Sequence, residues 1–159
     1  MSGNRLNEHT IPAAEWVAVI KPLLDKGLEL KLSPSGLSMY PFIVGGRDEV
    51  MLRSASQKAP VRGDIALFSR ADGLHVLHRI HHVKNGSFYM LGDAQTGIEG
   101  PVERNSIHAI AVAIIRNGKE ISCDNRFLNF LVSVWLLLRP VRPAIIATRL
   151  KLAVWLRRL

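Results

Sequence analysis

The chain has 159 residues, enough for one domain with a true core plus flanking segments, and 48% of them are hydrophobic. A formal charge of +8 points to an anionic partner, either a membrane surface or nucleic acid. The single cysteine, Cys123, excludes an internal disulfide, gives no sign of an oxidising compartment, and reads as an incidental thiol.

Residues 1–10 are polar, expected to be disordered, and lack the basic start and apolar stretch of a secretory signal. From Pro12 to about Lys26 the residues Trp16, Val19, Ile20, Leu23 and Leu24 recur at helical spacing, and Gly27 closes the segment. Pro22 lies inside it and should kink it or split it. From Leu28 the texture changes to short β-prone runs: Leu28–Leu32, Glu49–Arg53, Asp64–Ser69, Leu74–Val83, Ser87–Leu91 and Ile107–Arg116, ending near Ile121. Asn85-Gly86 and Asn117-Gly118 between such runs are hairpin signals, so the middle of the chain reads as an antiparallel β domain.

After Asp124 the pattern turns helical and basic. Arg126, Arg139, Arg142, Arg149, Lys151, Arg157 and Arg158 are accompanied by no acidic residue, so nearly all the excess charge belongs to this tail. No window reaches the roughly 18 uncharged apolar residues of a membrane span. The longest apolar stretch, Phe127–Leu138, is interrupted by Asn129. Trp135 and Trp155 among arginines suit an amphipathic segment lying in a bilayer interface, the alternative being helices that pack on the β domain or on a partner. The expected organisation is a helical segment at 1–27, a β domain at 28–122 and an amphipathic tail at 123–159. An anionic membrane surface, rather than nucleic acid, is the expected partner. The expected location is peripheral to a membrane, on the cytoplasmic side by default.

Three patterns carry chemistry. Ser35-Gly-Leu-Ser-Met-Tyr-Pro41 places Ser38 at a turn where Gly36 frees the backbone, Met39 supplies apolar surface and Pro41 blocks helix formation. Such a turn can expose a hydroxyl while amide N–H groups face a developing oxyanion. A serine needs a base, and in strand geometry His78 shares a face with the β-branched Val76 and Ile80, an environment suited to a neutral imidazole near pH 7. Finally, Met90-Leu-Gly-Asp-Ala94 followed by Glu99 offers two carboxylates, Asp93 and Glu99, either of which could orient that imidazole. The clustered His75, His78, His81 and His82 lack carboxylate or thiolate company at ligand spacing, so neither metal nor cofactor is expected.

In this order and at this spacing, the Ser38-Met-x-Pro41 box, the Gly63-Asp64 strand, the His78-Arg79-Ile80 segment and the Gly92-Asp93 turn resemble the signal peptidase I superfamily, which also holds the self-cleaving SOS repressors. The resemblance covers about Leu32 to Ile115. It implies a mainly β fold of the signal-peptidase/SOS-repressor (LexA-like) type, with a short N-terminal helix and an apolar-basic helical segment added at the C-terminus. It also implies a serine endopeptidase cleaving a signal or leader peptide, with Ser38 as nucleophile. Bacterial members carry lysine at the position of His78; histidine followed by arginine is similar to the endoplasmic-reticulum and archaeal type. There an acidic residue beyond the Gly-Asp turn assists, which corresponds to Glu99 here, with Asp93 in reserve. Gly36 stands where some bacterial members place a serine for the oxyanion, leaving that task to backbone amides including that of Ser38. Typical members begin with a membrane anchor, whereas the apolar-basic segment here is C-terminal. Two other readings stay open: a self-cleaving regulator, which would need a helix-turn-helix ahead of Ser38, and a catalytically silent membrane-surface module of the same fold.

Overall fold

Eight antiparallel strands make a single sheet in the computed structural model, which describes residues 13–156. The elements in chain order are α1 (Ala13–Asp25), β1 (Leu30–Leu32), β2 (Asp48–Ser54), β3 (Ile65–Ser69), β4 (His75–Lys84), β5 (Ser87–Leu91), β6 (Glu99–Val102), β7 (Ile107–Arg116), β8 (Lys119–Ser122), α2 (Arg126–Leu137) and α3 (Arg142–Leu156). Across the sheet the strands run β1-β2-β7-β3-β4-β5-β6, with β8 paired to β7. Asn85-Gly86 and Asn117-Gly118 turn the β4–β5 and β7–β8 hairpins. Both asparagines take positive φ (50° and 51°) and both glycines follow suit, as a tight two-residue hairpin turn requires.

β3 is the strand that divides the molecule. Its Ile65 and Leu67 enter one core with Leu24, Met39, Val50, Leu52 and Leu77, while Ala66 and Phe68 enter another with Ile80, Phe88, Met90 and Ile110. Period-two alternation of a strand buried on both faces explains its unbroken apolar run. β4 follows the same alternation, so His78, between Val76 and Ile80, belongs to the Phe68 face. β5 pairs with β4 only from Arg79 onward, where Arg79 faces Leu91. Residues 75–78 of β4 therefore bond β3 on one side and leave the other edge open.

Three expectations change. Pro22 does not split α1, which runs through it to Asp25; Leu24 and Ile20 pack on the first core and hold the last turn despite the missing N–H. The proposed start at Pro12 lies outside the described residues. β6 gave no strand signal because it reads Glu-Gly-Pro-Val, yet proline is tolerated there because β6 is an edge strand. Trp135 does not face outward: it donates its indole N–H to Asp93 O (2.8 Å) and meets Phe42 edge to face at 6.2 Å. Burial of Val132 and Leu136 against Leu91, Phe42 and Ile98 turns that side of α2 inward. The side chain of Trp155 lies outside the described residues.

Candidate active site

Ser38 sits, half-buried, in a loop between β1 and β2 whose two ends are drawn together. Gly45 N–H donates to Gly36 O (3.1 Å), and a Cβ on Gly45 would stand 2.6 Å from backbone atoms of Gly36, so only glycine permits the closure. Met39 is buried in the first core, which fixes the loop's depth beside its exposed neighbours. The loop's far end is pinned by Asp48, a fully buried carboxylate that accepts from Val44 N–H, Arg47 and Arg116. Burial opposes its ionisation, but the two guanidiniums and the amide outweigh it and hold the carboxyl well below the usual range. Neither Ser38 N–H nor Met39 N–H donates to a backbone acceptor among the described residues. Tyr40-Pro41 is a cis peptide bond, which closes the turn that follows the serine. A cleft of about 330 Å³ opens beside Ser38, floored by Met39, Leu67 and Leu77, with residues 33–36 along one wall and His75 and Val76, on the open edge of β4, along the other.

His78 follows directly on that edge. It is 1% exposed, and its Nδ1 lies 2.8 Å from Glu99 Oε1, close but off the line of a well-aligned N–H···O bond. Arg70 grips both oxygens of the same carboxylate at 2.5 and 2.6 Å. Burial tends to neutralise Glu99, but Arg70 and then His78 overcome it and keep the carboxyl below its ordinary value. For His78 the balance runs the other way: burial lowers its pKa, Glu99 restores part of the loss, and Arg70 lowers it again. The result is a neutral imidazole beside an anionic carboxylate. With the anion at Nδ1, the favoured tautomer carries its proton there and leaves the Nε2 lone pair free to accept one. No hydrogen bond joins Ser38 Oγ to His78; Ser38 lines the cleft with His75, Val76 and Leu77, and His78 is the next residue along β4, its ring beside Phe68.

Of the two carboxylates proposed from sequence, the structure brings Glu99 to the imidazole and assigns Asp93 elsewhere. Asp93 is fully buried and takes both arms of Arg79 at 2.9 and 2.7 Å, while Arg79 also donates to Gly63 O. Its turn still touches the Ser38 loop: Ala94 N–H donates to Ser38 O (2.8 Å), and Gly92 lies so near that a Cβ would stand 2.8 Å from that same oxygen. Arg70 was missed because its contact depends on β6, which the sequence did not announce.

A second serine–histidine cluster lies at the start of β4 and takes members from β3 and β7 as well. Ser69 Oγ is 2.9 Å from His75 Nδ1 and 2.6 Å from His108 Nε2, and the buried His108 Nδ1 has no partner. His82 stacks flat on Tyr89 at 4.3 Å, beyond a bulge after Ile80, so it does not join His78. Among the described residues no group of three metal-ligating side chains converges. Burial pushes the Cys123 thiol up to about 11, which leaves almost no thiolate at neutral pH.

No protein-family model, curated protein or solved structure matches the chain.

Proposed function

We propose that this chain is a serine endopeptidase of the signal-peptidase type, in which Ser38 attacks and His78, backed by Glu99, serves as general base. The observation that carries the reading is the placement of Glu99 beside Nδ1 of a buried, neutral His78, the residue that follows the His75–Leu77 wall of the Ser38 cleft. The finer fold reading, a signal-peptidase/SOS-repressor β domain, rests on the order of the sequence motifs, and an antiparallel sheet carrying them agrees with it. An extended peptide adding to the open edge at residues 75–78 would run along the cleft with its carbonyl facing Ser38. Ser38 Oγ attacks that carbonyl, and the unpartnered N–H groups of Ser38 and Met39 receive the oxyanion. His78 Nε2 takes the serine proton and returns it to the leaving amine; water then cleaves the acyl-enzyme by the same route. Serine–base contacts that are open in a free enzyme tighten in the complex. A signal or leader segment, extended and small-featured, is the substrate class the resemblance supports.

Labelling with a serine-reactive probe tests this. Wild type should be modified at Ser38, and Ser38→Ala and His78→Ala should not, with their folding unchanged. A well-folded wild type that stays unlabelled across about pH 6–9 sinks the reading and leaves the silent surface module.

The membrane is the proposed partner of the outer face of α2. Phe127, Phe130, Leu131 and Val134 follow one another at helical spacing along α2, all exposed, with Phe127 at 70%, and Leu137, Leu138 and Val141 continue the exposed apolar surface to its end and beyond. Single exposed apolar side chains are ordinary, but a stripe this continuous is not. Arg126, Arg149 and Lys151 are exposed in the same segment, which holds no acid to repel anionic lipid. Among the described residues no single helix is long and apolar enough to cross a membrane; α2 and the helix after it, bent by 70°, reach that length and apolarity only together. Flotation with vesicles of phosphatidylcholine and phosphatidylglycerol should carry wild type upward and leave a Phe127→Ser/Phe130→Ser variant behind. Equal behaviour of the two proteins, or a dimer that the double variant dissolves, counts against the bilayer.

A further inference from the structure

The inner side of the C-terminal helices makes contacts that a mere surface anchor does not need. Arg142 is fully buried with no acidic partner; its guanidinium donates to Gln95 O at 3.0 Å and to Trp135 O at 3.1 and 2.8 Å. Burying an arginine without a directly paired carboxylate is costly: burial lowers its pKa, and the nearby Asp93 charge restores only part of the loss. Trp135 adds its N–H on Asp93 O, and Arg139 donates to Thr96 O (3.3 Å). The tail thus takes up four carbonyls in the turn between β5 and β6, those of Gly92, Asp93, Gln95 and Thr96. That turn reaches the catalytic set from both of its ends: Ala94 N–H bonds Ser38 O, and three residues after Thr96 comes Glu99.

We propose that Trp135 and Arg142 are positioning residues of the active site, fixing the 92–96 turn and, through it, both the Ser38 loop and Glu99. A turn rich in Gly, Asp and Gln has little apolar surface of its own to define it, so its carbonyls need external donors. Fixing it from the tail sets the distance between nucleophile and base without either being touched by the tail. This rests on the peptidase reading above.

The test uses the full chain with Trp135→Phe, which keeps an aromatic side chain but removes the pyrrole ring with its N–H, together with Arg142→Lys and Arg142→Gln. Labelling of Ser38 by the same probe should slow roughly ten- to a hundred-fold, the scale of a catalytic group displaced by about 1 Å. The acid limb of the pH–rate profile should also move to lower pH, because an imidazole that loses its carboxylate is harder to protonate. A purely structural role lowers the fraction of folded protein but leaves that midpoint in place. Should Arg142→Gln fail to fold, Trp135→Phe and Arg142→Lys carry the decision. Wild-type rate and midpoint in those two overturn the positioning role while the peptidase stands. An unlabelled wild type removes both.

Discussion

β4 carries two serine–histidine clusters, three residues apart, and they differ in instructive ways. At Ser69 the hydroxyl already contacts two imidazoles, at 2.9 and 2.6 Å, yet no carboxylate backs either ring. At Ser38 the hydroxyl has no such bond, but His78, one residue beyond the β4 residues that line its cleft, has a carboxylate beside Nδ1. Ser69 closes a strand, whereas Ser38 sits in a loop with unused amides and a cleft in front of it. The proposed nucleophile therefore does not rest on a short serine–histidine distance. Charge behind the base, donors for the oxyanion and room for a substrate separate the two clusters.

Substitutions should widen that contrast. Ser38→Ala should cost at least about 10³-fold in labelling or turnover, measured on protein whose circular dichroism matches wild type. His78→Ala should follow at about 10²–10⁴-fold. Asp93→Asn acts on stability instead: it leaves Arg79 buried against a neutral group, so urea unfolding should register a loss of about 3–5 kcal/mol. Glu99→Gln should lower the rate roughly ten-fold at its plateau and shift the acid limb downward. In wild type that limb should itself lie below the ordinary imidazole value of about 6.5, since burial favours the neutral form: activity is full above it and lost as pH falls through the lowered pKa. A rate still rising beyond about pH 9 would remove His78 as the base. Ser69→Ala is the smallest change expected, within about two-fold in labelling, with a stability loss near 1 kcal/mol for its hydrogen bonds. A large loss of labelling there, with Ser38→Ala still active, would exchange the roles of the two clusters.

Much of this was legible in the chain. An unbroken apolar run marked β3, alternation marked β4, and the two Asn-Gly pairs marked the β4–β5 and β7–β8 hairpins, while the Ser38, His78 and Glu99 motifs carried the resemblance on which the proposed function rests. The choice between Asp93 and Glu99 was not legible, because β5–β6 pairing decides it and β6 hides behind Gly100 and Pro101. Arg70 carries no spacing signal, since it meets Glu99 across the sheet rather than along the chain. The tail misled in one respect. α2 is apolar on nearly every side, and such a helix does not say which face will dock; Trp135 turned inward because a carbonyl at Asp93 awaited its N–H.

The seat of Arg142 on the 92–96 turn has a consequence for synthesis. A chain is made from its N-terminus, so Ser38, His78 and Glu99 all leave the ribosome before the arginine that closes over their turn. A prematurely ended product lacking α2 and Arg142 would contain the whole catalytic set with the turn still unheld. If the tail positions the site as proposed, proteolytic competence arrives only once α2 and Arg142 have been made, and the nascent chain is spared its own peptidase until then.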